Sequence, residues 1–364
     1  MKNQVFKNGP FRALTRNYMG AIVCLFALPL LFLGSGCTSS MRIQVLKPAH
    51  IMVPESVQNL ALINRYRPGK GEGLLNVLEG ALTGENIGQD RRAAEMALSG
   101  LTNSLAGSPR FKITRPAIEL KGTGRGDFPE ALPVQRVREI CANNRAQALV
   151  TIEAFDSDTR IECERDVRER KKDGKTIKYV VFEACKTVDV TVGWRMYDGN
   201  TGNLLDEFRM FESVIFNAEG GTDREARANL PDRDGVTQRI GDVTGANYSR
   251  RISPTWLWVS RSYFKRGCDD LKRGKNAVKL QDWRGAEEHW NNATEFPKEK
   301  VQGRAYYNLA LAAEMRGELN EALELCKKAG RTYGNKKAIN YASIIRQRIR
   351  DQERLAEQMK GAPE

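Results

Sequence analysis

Apolar positions in the first half of the chain alternate between a two-residue period and a three-to-four-residue period. After the turn-prone Val53-Pro54, residues 57–63 (Val-Gln-Asn-Leu-Ala-Leu-Ile) read as a buried strand. A Gly-rich stretch over 69–88 reads as a loop. Ala94, Ala97, Leu98, Leu101 and Leu105 then fall on one face of a helix ending near Gly107. Phe111-Lys-Ile-Thr114 is a second strand, Leu132, Val137, Ile140 and Cys141 mark a second helix, and residues 148–152 form a third strand. This alternation implies a sheet with helices packed on it.

A long hairpin follows. Residues 151–170 and 176–196 flank Lys171-Lys172-Asp173-Gly174-Lys175, a strong turn signal. A three-residue loop of Asp173, Gly174 and Lys175 sets Arg165 opposite Glu183, Val167 opposite Val181 and Glu162 opposite Lys186. Each such pair contributes roughly 0.2–1 kcal/mol. The same register places Cys163 opposite Cys185 as candidates for a disulfide, and a one-residue slip separates them. A second turn over 198–202 (Asp-Gly-Asn-Thr-Gly) joins 190–197 to 204–211. Residues 218–250 show little apolar periodicity and read as a loop with one short helix. The expected fold is α+β. An α/β sandwich-like domain with a long antiparallel hairpin covers 53–216, a connecting loop 217–252, and an all-α domain 253–364, whose first helical segment is 256–264.

The all-α part carries a repeat. Gly274, Trp283, Ala286, Trp290 and Ala293 are matched 36 residues later by Ala310, Leu319, Ala322, Cys326 and Ala329. Small residues where helices approach, with bulky ones between, describe a helix-turn-helix unit. The stretch from Ala305 to Leu325 resembles a tetratricopeptide repeat, with a weaker copy before it. Residues 256–264 and 337–359 are expected to cap the stack. In such repeats the first helix of each pair lines a binding face, which assigns Lys275, Lys279, Arg304, Tyr307 and Glu314 to a partner-binding groove.

The N-terminus has a different character. Lys2, Lys7, Arg12 and Arg16 precede an uncharged apolar run over 21–32, then Gly34-Ser35-Gly36, Cys37 and polar Thr38-Ser39-Ser40. The apolar run is too short to favour a membrane-spanning helix, which needs about 20 residues. Basic, apolar and small segments in that order mark residues 1–36 as a signal peptide. The segment resembles bacterial lipoprotein signals, in which the cysteine is diacylated and becomes the mature N-terminus. It departs from them in having Gly34 where Leu is usual, with Leu33 one place early. Thr38, rather than Asp, leans towards the outer membrane, with residues 37–52 as a lipid-anchored linker. Of the seven cysteines, Cys24 leaves with the signal and Cys37 takes the lipid. Cys141 and Cys326 lie on apolar helix faces as core residues.

Charge and residue supply narrow the chemistry. Lys and Arg number 58 against 45 Asp and Glu; residues 1–36 hold four of the former and none of the latter. The surplus is spread without a basic run or recognition motif, so nucleic acid is not an expected partner. No CxxC and no His-Cys spacing indicates a metal site. Only His50 and His289 are available to a His-based triad. Gly69-Lys-Gly71-Glu-Gly73 lacks phosphate-loop spacing, and Arg125-Gly126-Asp127 is a chance tripeptide. Asp156 and Asp158 read as a charged hairpin surface. No enzyme activity and no cofactor beyond the lipid on Cys37 is expected.

Tyr197-Asp-Gly-Asn-Thr-Gly-Asn-Leu-Leu205, Arg251-Ile-Ser-Pro-Thr-Trp256, Trp283-Arg-Gly-Ala-Glu-Glu-His-Trp290 and Tyr307-Asn-Leu-Ala-Leu-Ala-Ala-Glu314 together resemble a family of Bacteroidota lipoproteins. Their N-terminal domain is similar to that of curli-secretion-channel and penicillin-binding-protein-activator lipoproteins, and tetratricopeptide-like repeats follow. The resemblance implies an architecture and no mechanism. The expectation is a periplasm-facing outer-membrane scaffold that binds an envelope protein or peptide. Its alternative is a homo-oligomeric assembly or secretion-accessory component in which the repeats are structural.

Overall fold

The computed structural model describes residues 37–66, 88–124, 126–360 and 362. The expected signal peptide, residues 69–87 of the Gly-rich stretch and Arg125 of the tripeptide lie outside them. The chain enters a first strand, β1 (Thr38–Lys47), and then β2 (Asn59–Asn64). Helix α1 (Gln89–Ala106) crosses to β3 (Lys112–Thr114), and α2 (Val134–Asn143) crosses to β4 (Ala148–Lys172). Strands β5 (Lys175–Asp198) and β6 (Leu204–Gly220) complete a sheet of order β3-β2-β4-β5-β6. β2 runs parallel to both neighbours, and β4, β5 and β6 are antiparallel. The apolar run of β2 is explained by burial on both faces. Leu60 and Leu62 face a core with Ala94, Ala97, Leu98 and Leu101 of α1, whereas Ala61 and Ile63 join Val137, Ile140 and Cys141 of α2.

The hairpin has a different register from the expected one. Its loop is only Asp173 and Gly174, with φ of 51° and 77°, and Lys172 pairs with Lys175. Two successive positive φ values make the tight turn whose twist matches that of the strands, and Asp-Gly is suited to it. Every opposed pair therefore shifts by one. Arg165 faces Phe182, Val167 faces Val180, Glu162 faces Cys185 and Cys163 faces Ala184. Cys163 and Cys185 thus lie on opposite faces of the sheet, and both are free. The shift also opposes Glu164 to Glu183. Arg168 offsets that repulsion by pairing with Glu183, with Asp166 at 3.1 Å and with Glu219 at 3.0 Å.

Residues 217–252 correct the expected connecting loop. β6 runs to Gly220, a short helix α3 (Asp223–Ala228) is capped by Thr222, and α4 (Arg233–Ile252) is capped by Asp232. Helix α4 buries Val236, Ile240, Tyr248 and Ile252 at four-residue spacing, and the small or polar residues buried beside them blur the apolar period. Gly241, Thr244, Gly245 and Ser249 meet α1, and a Cβ at Gly245 would lie 1.8 Å from the Ala97 carbonyl oxygen. At Gly241 it would lie 2.4 Å from the Ala93 carbonyl, and at Gly100 2.0 Å from that of Asp242. The two backbones approach as closely as the absence of side chains permits.

Residues 38–47 and 255–264 supply two further corrections. Neither is a linker or a helix: β7 (Thr255–Phe264) pairs antiparallel with β1, Thr38 opposite Phe264 and Lys47 opposite Thr255. This ribbon leads into helices α5 (Asp269–Lys279), α6 (Trp283–Thr294), α7 (Glu299–Arg316), α8 (Leu319–Arg331) and α9 (Lys336–Gln358). The pairs α5–α6 and α7–α8 are the two helical hairpins that the repeat implies. Ala286, Ala310 and Ala322 are buried, and a Cβ at Gly274 would lie 2.4 Å from Trp290 Nε1. Thr38–Glu364 forms one compact unit, with sheet and helices in it together.

Two expectations follow. Gly245→Val should lower stability by about 1–3 kcal/mol or more through overpacking, read by urea denaturation; an unchanged midpoint would refute the close seam. Alkylation of the unreduced protein followed by peptide mass analysis should label Cys163 and Cys185 separately; a linked peptide pair would refute the register.

Candidate functional site

The five residues assigned to a groove do not come together as one. Lys275 is half-buried and Lys279 exposed on α5. Arg304 donates to the Arg266 carbonyl at 2.5 Å and lies over the Phe264 ring at 5.2 Å. Tyr307 is buried, its hydroxyl 3.0 Å from that of Ser262. Glu314, 2% exposed, receives Arg261 at 2.8 Å through both oxygens and Arg348 at 2.7 Å, and also accepts from the Tyr341 hydroxyl. Burial works to raise the Glu314 pKa, but the hydrogen bond and charge of Arg261, with Tyr341 and Arg348, outweigh it and hold the carboxyl below its ordinary value. The face of α7 that a partner would need is covered by β7 and α9 of the same chain.

Two side-chain amides fasten the ribbon to the helices. Asn308 accepts from Phe264 N at 2.7 Å and donates to Phe264 O at 2.8 Å. Gln358 accepts from Ala49 N at 2.8 Å and donates to Ala49 O at 3.1 Å. Lys47 pairs with Asp351 at 2.7 Å, and Arg354 donates to the His50 carbonyl at 2.6 Å. The inner face of the ribbon, with Ile43 and Val45, is buried. Its outer face carries Arg42, Gln44 and Leu46 beside Ser260, Trp258 and Trp256. Trp256 is 50% exposed and Trp258 60%. A cleft of about 410 Å³ opens beside Arg42 and Trp258, reaching Met315 and Arg348. Cys37, exposed, is the residue before β1.

Two other buried carboxylates serve the sheet. Glu153 is the extra residue of a bulge between Ile152 and Ala154, which turns its side chain into the protein. There it meets Arg65 at 2.8 Å, Thr151 at 2.6 Å and the Tyr197 hydroxyl at 3.0 Å. Burial, then the Glu153 charge, pushes Tyr197 up to about 12. Asp206 takes a bidentate pair from Arg251 at 2.7 and 2.8 Å and a hydrogen bond from Tyr248 at 3.0 Å. The surrounding arginines and hydroxyls use the lone pairs a catalytic carboxylate would need. His289 lies 3.3 Å from Asp270, and His50 is exposed. Among the described residues no group of three His, Cys, Asp or Glu could hold a metal ion. Burial raises the thiol pKa of Cys141 to about 11 and of Cys326 to about 12, so both stay protonated.

The outer face of the hairpin blade is open, and sequence marked Asp156 and Asp158 of it as a charged surface with no binding role. Asp158, Arg160, Glu162 and Glu164 on β4 stand beside Glu183, Cys185, Thr187 and Asp189 on β5, then Phe211, Ser213, Ile215, Asn217 and Glu219 on β6. Phe211 is 65% exposed and Ile215 61%. β6 is also the outermost strand of the sheet. The alternation of β6 between inward apolar and outward polar residues was legible, and the two outward apolar exceptions were the available signal.

With this geometry in hand, similarity to other proteins is limited but specific. The chain belongs to the family described as "Domain of unknown function (DUF8603)", whose model matches residues 57–264. A second family model, "Domain of unknown function (DUF6340)", matches 272–351. The first ends where β7 ends, and the second spans helices of the repeat region. No curated protein matches. Among solved structures, a protein described as a lipoprotein from Caulobacter crescentus CB15 is 13% identical, covering 52% of this chain and 84% of its own at a TM-score of 0.19. A neuraminyllactose-binding hemagglutinin homolog from Helicobacter pylori is 12% identical over 56% and 86% at 0.23. The PelC dodecamer from Paraburkholderia phytofirmans is 10% identical over 59% and 99% at 0.19. Overlaps this loose say nothing of function.

Glu314→Gln should leave the half-buried Arg261 and Arg348 without their buried counter-charge and cost about 2–4 kcal/mol. Because the carboxyl pKa is depressed on folding, its contribution is present above the ordinary glutamate value of 4.5 and is lost as pH falls through the lower folded value. Denaturation curves between neutral and acid pH should therefore be shallower in their acid limb for the variant; parallel curves would show that Glu314 does not carry the charge balance.

Proposed function

We propose that this protein is a lipid-anchored, non-enzymatic interaction scaffold of the bacterial cell envelope. Cys37 carries the lipid, the outer membrane is its site, and the folded unit faces the periplasm. The observation that carries the reading is the open blade. Strands β4 and β5 run 25 and 24 residues, far beyond the cover of α1, α2 and α4, and between Asp158 and Glu219 their outer face sets six carboxylates against Arg160, with Phe211 and Ile215 turned outward beside them on β6. A basic protein segment with apolar side chains complements it. The face of α7 around Tyr307 and Glu314 is covered by β7 and α9, which favours the sheet for the binding role and leaves the repeats as support. The finer likeness to curli-secretion and penicillin-binding-protein-activator lipoproteins belongs to this proposal.

A second reading is favoured by the uncovered edge of β6. An unpaired edge can add a strand from another chain, which suits an oligomeric assembly component built through the α/β domain.

Phe211→Asp with Ile215→Asp should remove at least nine-tenths of the envelope protein that cross-links to the tagged chain in cells, with the thermal midpoint unchanged. Full capture by the double variant would reject the blade as the binding face. Cross-links only between copies of this chain would favour the oligomeric reading. Cys37→Ser should make the protein extractable from membranes by a high-salt wash that leaves the parent in place.

A further inference from the structure

The outer face of the β1–β7 ribbon is built for a bilayer surface, and nothing in the proposed binding role of the blade requires it. Register puts Ser40, Arg42, Gln44 and Leu46 of β1 beside Ser262, Ser260, Trp258 and Trp256 of β7 on that face. No carboxylate stands among these eight residues. Trp256 and Trp258 are half or more exposed, and among the described residues neither ring stacks on another aromatic. Arg42 is exposed, and among the described residues its side chain has no ion pair or hydrogen bond. Adjacent tryptophans with apolar bodies and N–H donors, next to an unpaired guanidinium, match the chemistry of the membrane–water interface. The cleft of about 410 Å³ beside Arg42 and Trp258 is of a size to receive a phosphate headgroup; Glu314 also lines it, its charge offset by Arg348 and Arg261, which leaves Arg42 as the cation for the anion.

Chain connectivity supplies the second, independent argument. Arg42 is five residues from Cys37, so the backbone keeps the two within at most roughly 18 Å. Trp258 pairs with Gln44 and Trp256 with Leu46, just further along the same strand. A lipid on Cys37 would therefore hold this face within reach of the bilayer, and one acyl signal with one surface contact anchors more firmly than either alone.

We propose that the Trp256–Trp258–Arg42 face docks on a bilayer bearing anionic phosphate headgroups, independently of the blade. The inference rests on the envelope-membrane reading but not on acylation itself. It also fixes the helices: the ribbon is fastened to α7 by Asn308 and to α9 by Gln358, so docking holds the repeat layer close to the surface.

The test uses the chain without residues 1–36 and with Cys37→Ser, since Thr38–Glu364 is one compact unit. The probes are sedimenting vesicles of phosphatidylcholine alone, or with phosphatidylglycerol as three lipids in ten, some carrying brominated acyl chains. Binding to the mixed vesicles, quenching of tryptophan fluorescence by bromine, and at least tenfold weaker binding to neutral vesicles are expected. Trp256→Ser with Trp258→Ser should weaken binding at least tenfold and remove most of the quenching, because Trp194 and Trp290 are buried and Trp283 packs against Trp290 in the helical core, away from this face. Arg42→Glu should remove the preference for the anionic lipid. Circular dichroism and thermal midpoints should match the parent, as all three side chains are exposed. Equal binding by parent and variants, or no binding to either vesicle, would overturn the proposal. So would concentration-dependent dimerisation abolished by the tryptophan variant, which would make the occupant a second copy, and so would displacement of the protein from vesicles by inorganic phosphate, which would make the ligand a free anion. Acylation is read separately from the mass of the native N-terminal peptide: an unmodified Cys37 with vesicle binding intact sinks the anchor and leaves the docking face standing.

Discussion

The pairing of β1 with β7 is the constraint on which the rest of the structure depends. It joins Thr38–Lys47 to Thr255–Phe264, so the whole sheet layer is inserted between the two strands of one ribbon. Closing so long a loop costs conformational entropy, though the cost rises only slowly with length, about 0.6 kcal/mol per doubling. A two-stranded ribbon in water is marginal by itself. This one is stabilised by burying Ile43, Val45, Tyr263 and Phe264 and by the amides of Asn308 and Gln358, which satisfy backbone groups on Phe264 and Ala49.

Buried charge fixes how the layers meet. Glu314 ties β7, through Arg261, to α9, through Arg348 and Tyr341. Asp206 ties β6 to α4 through Arg251 and Tyr248, and Glu153 ties β4 to the chain after β2 through Arg65. Burying each carboxylate costs several kcal/mol before its partners act, so each site tolerates few alternative geometries. Between α1 and α4 the same role falls to sterics: Gly245 against the Ala97 carbonyl admits one approach of two helices.

The elements whose information is local were legible from sequence. β2, α1, α2 and the start of β4 follow from periodicity, the turn at Asp198 from its residues, and the helical hairpins from the paired small residues. What failed depended on distant partners or on small side chains. β7 has alternating residues, but its partner β1 lies more than two hundred positions earlier, and without it Trp256 and Trp258 read as helix. α4 was obscured because Gly241, Thr244, Gly245 and Ser249 bury without being apolar; the four-residue spacing of Val236, Ile240, Tyr248 and Ile252 beside them was the available signal. The hairpin register turned on whether Asp173-Gly174 closes alone, and tight-turn geometry outweighed the charge pairs at Glu162 and Arg165 that the alternative offered. Of the groove residues, Tyr307 and Glu314 were read as facing a partner, and sequence could not show that β7 and α9 of this chain cover the face of α7 they occupy.

The length of the blade is the feature that folding alone accounts for least. Beyond about Ser157, β4 has little buried surface, and α3 covers only a patch around Ala184, Ala226 and Leu230. Each ordered residue costs about 1–2 kcal/mol of backbone entropy, and exposed cross-strand pairs return roughly 0.2–1 kcal/mol. The far hairpin is therefore marginal as a free element, and its charged ladder around Arg168 holds like charges in place as much as it attracts opposite ones. A second surface laid on that face would bury Phe211 and Ile215, lower the dielectric around the Arg168 pairs and supply the stabilisation that the hairpin does not find in its own core. That asymmetry, between a base pinned by three buried charge clusters and a blade held mainly by its backbone ladder, is why the blade rather than the repeat groove carries the proposed binding role.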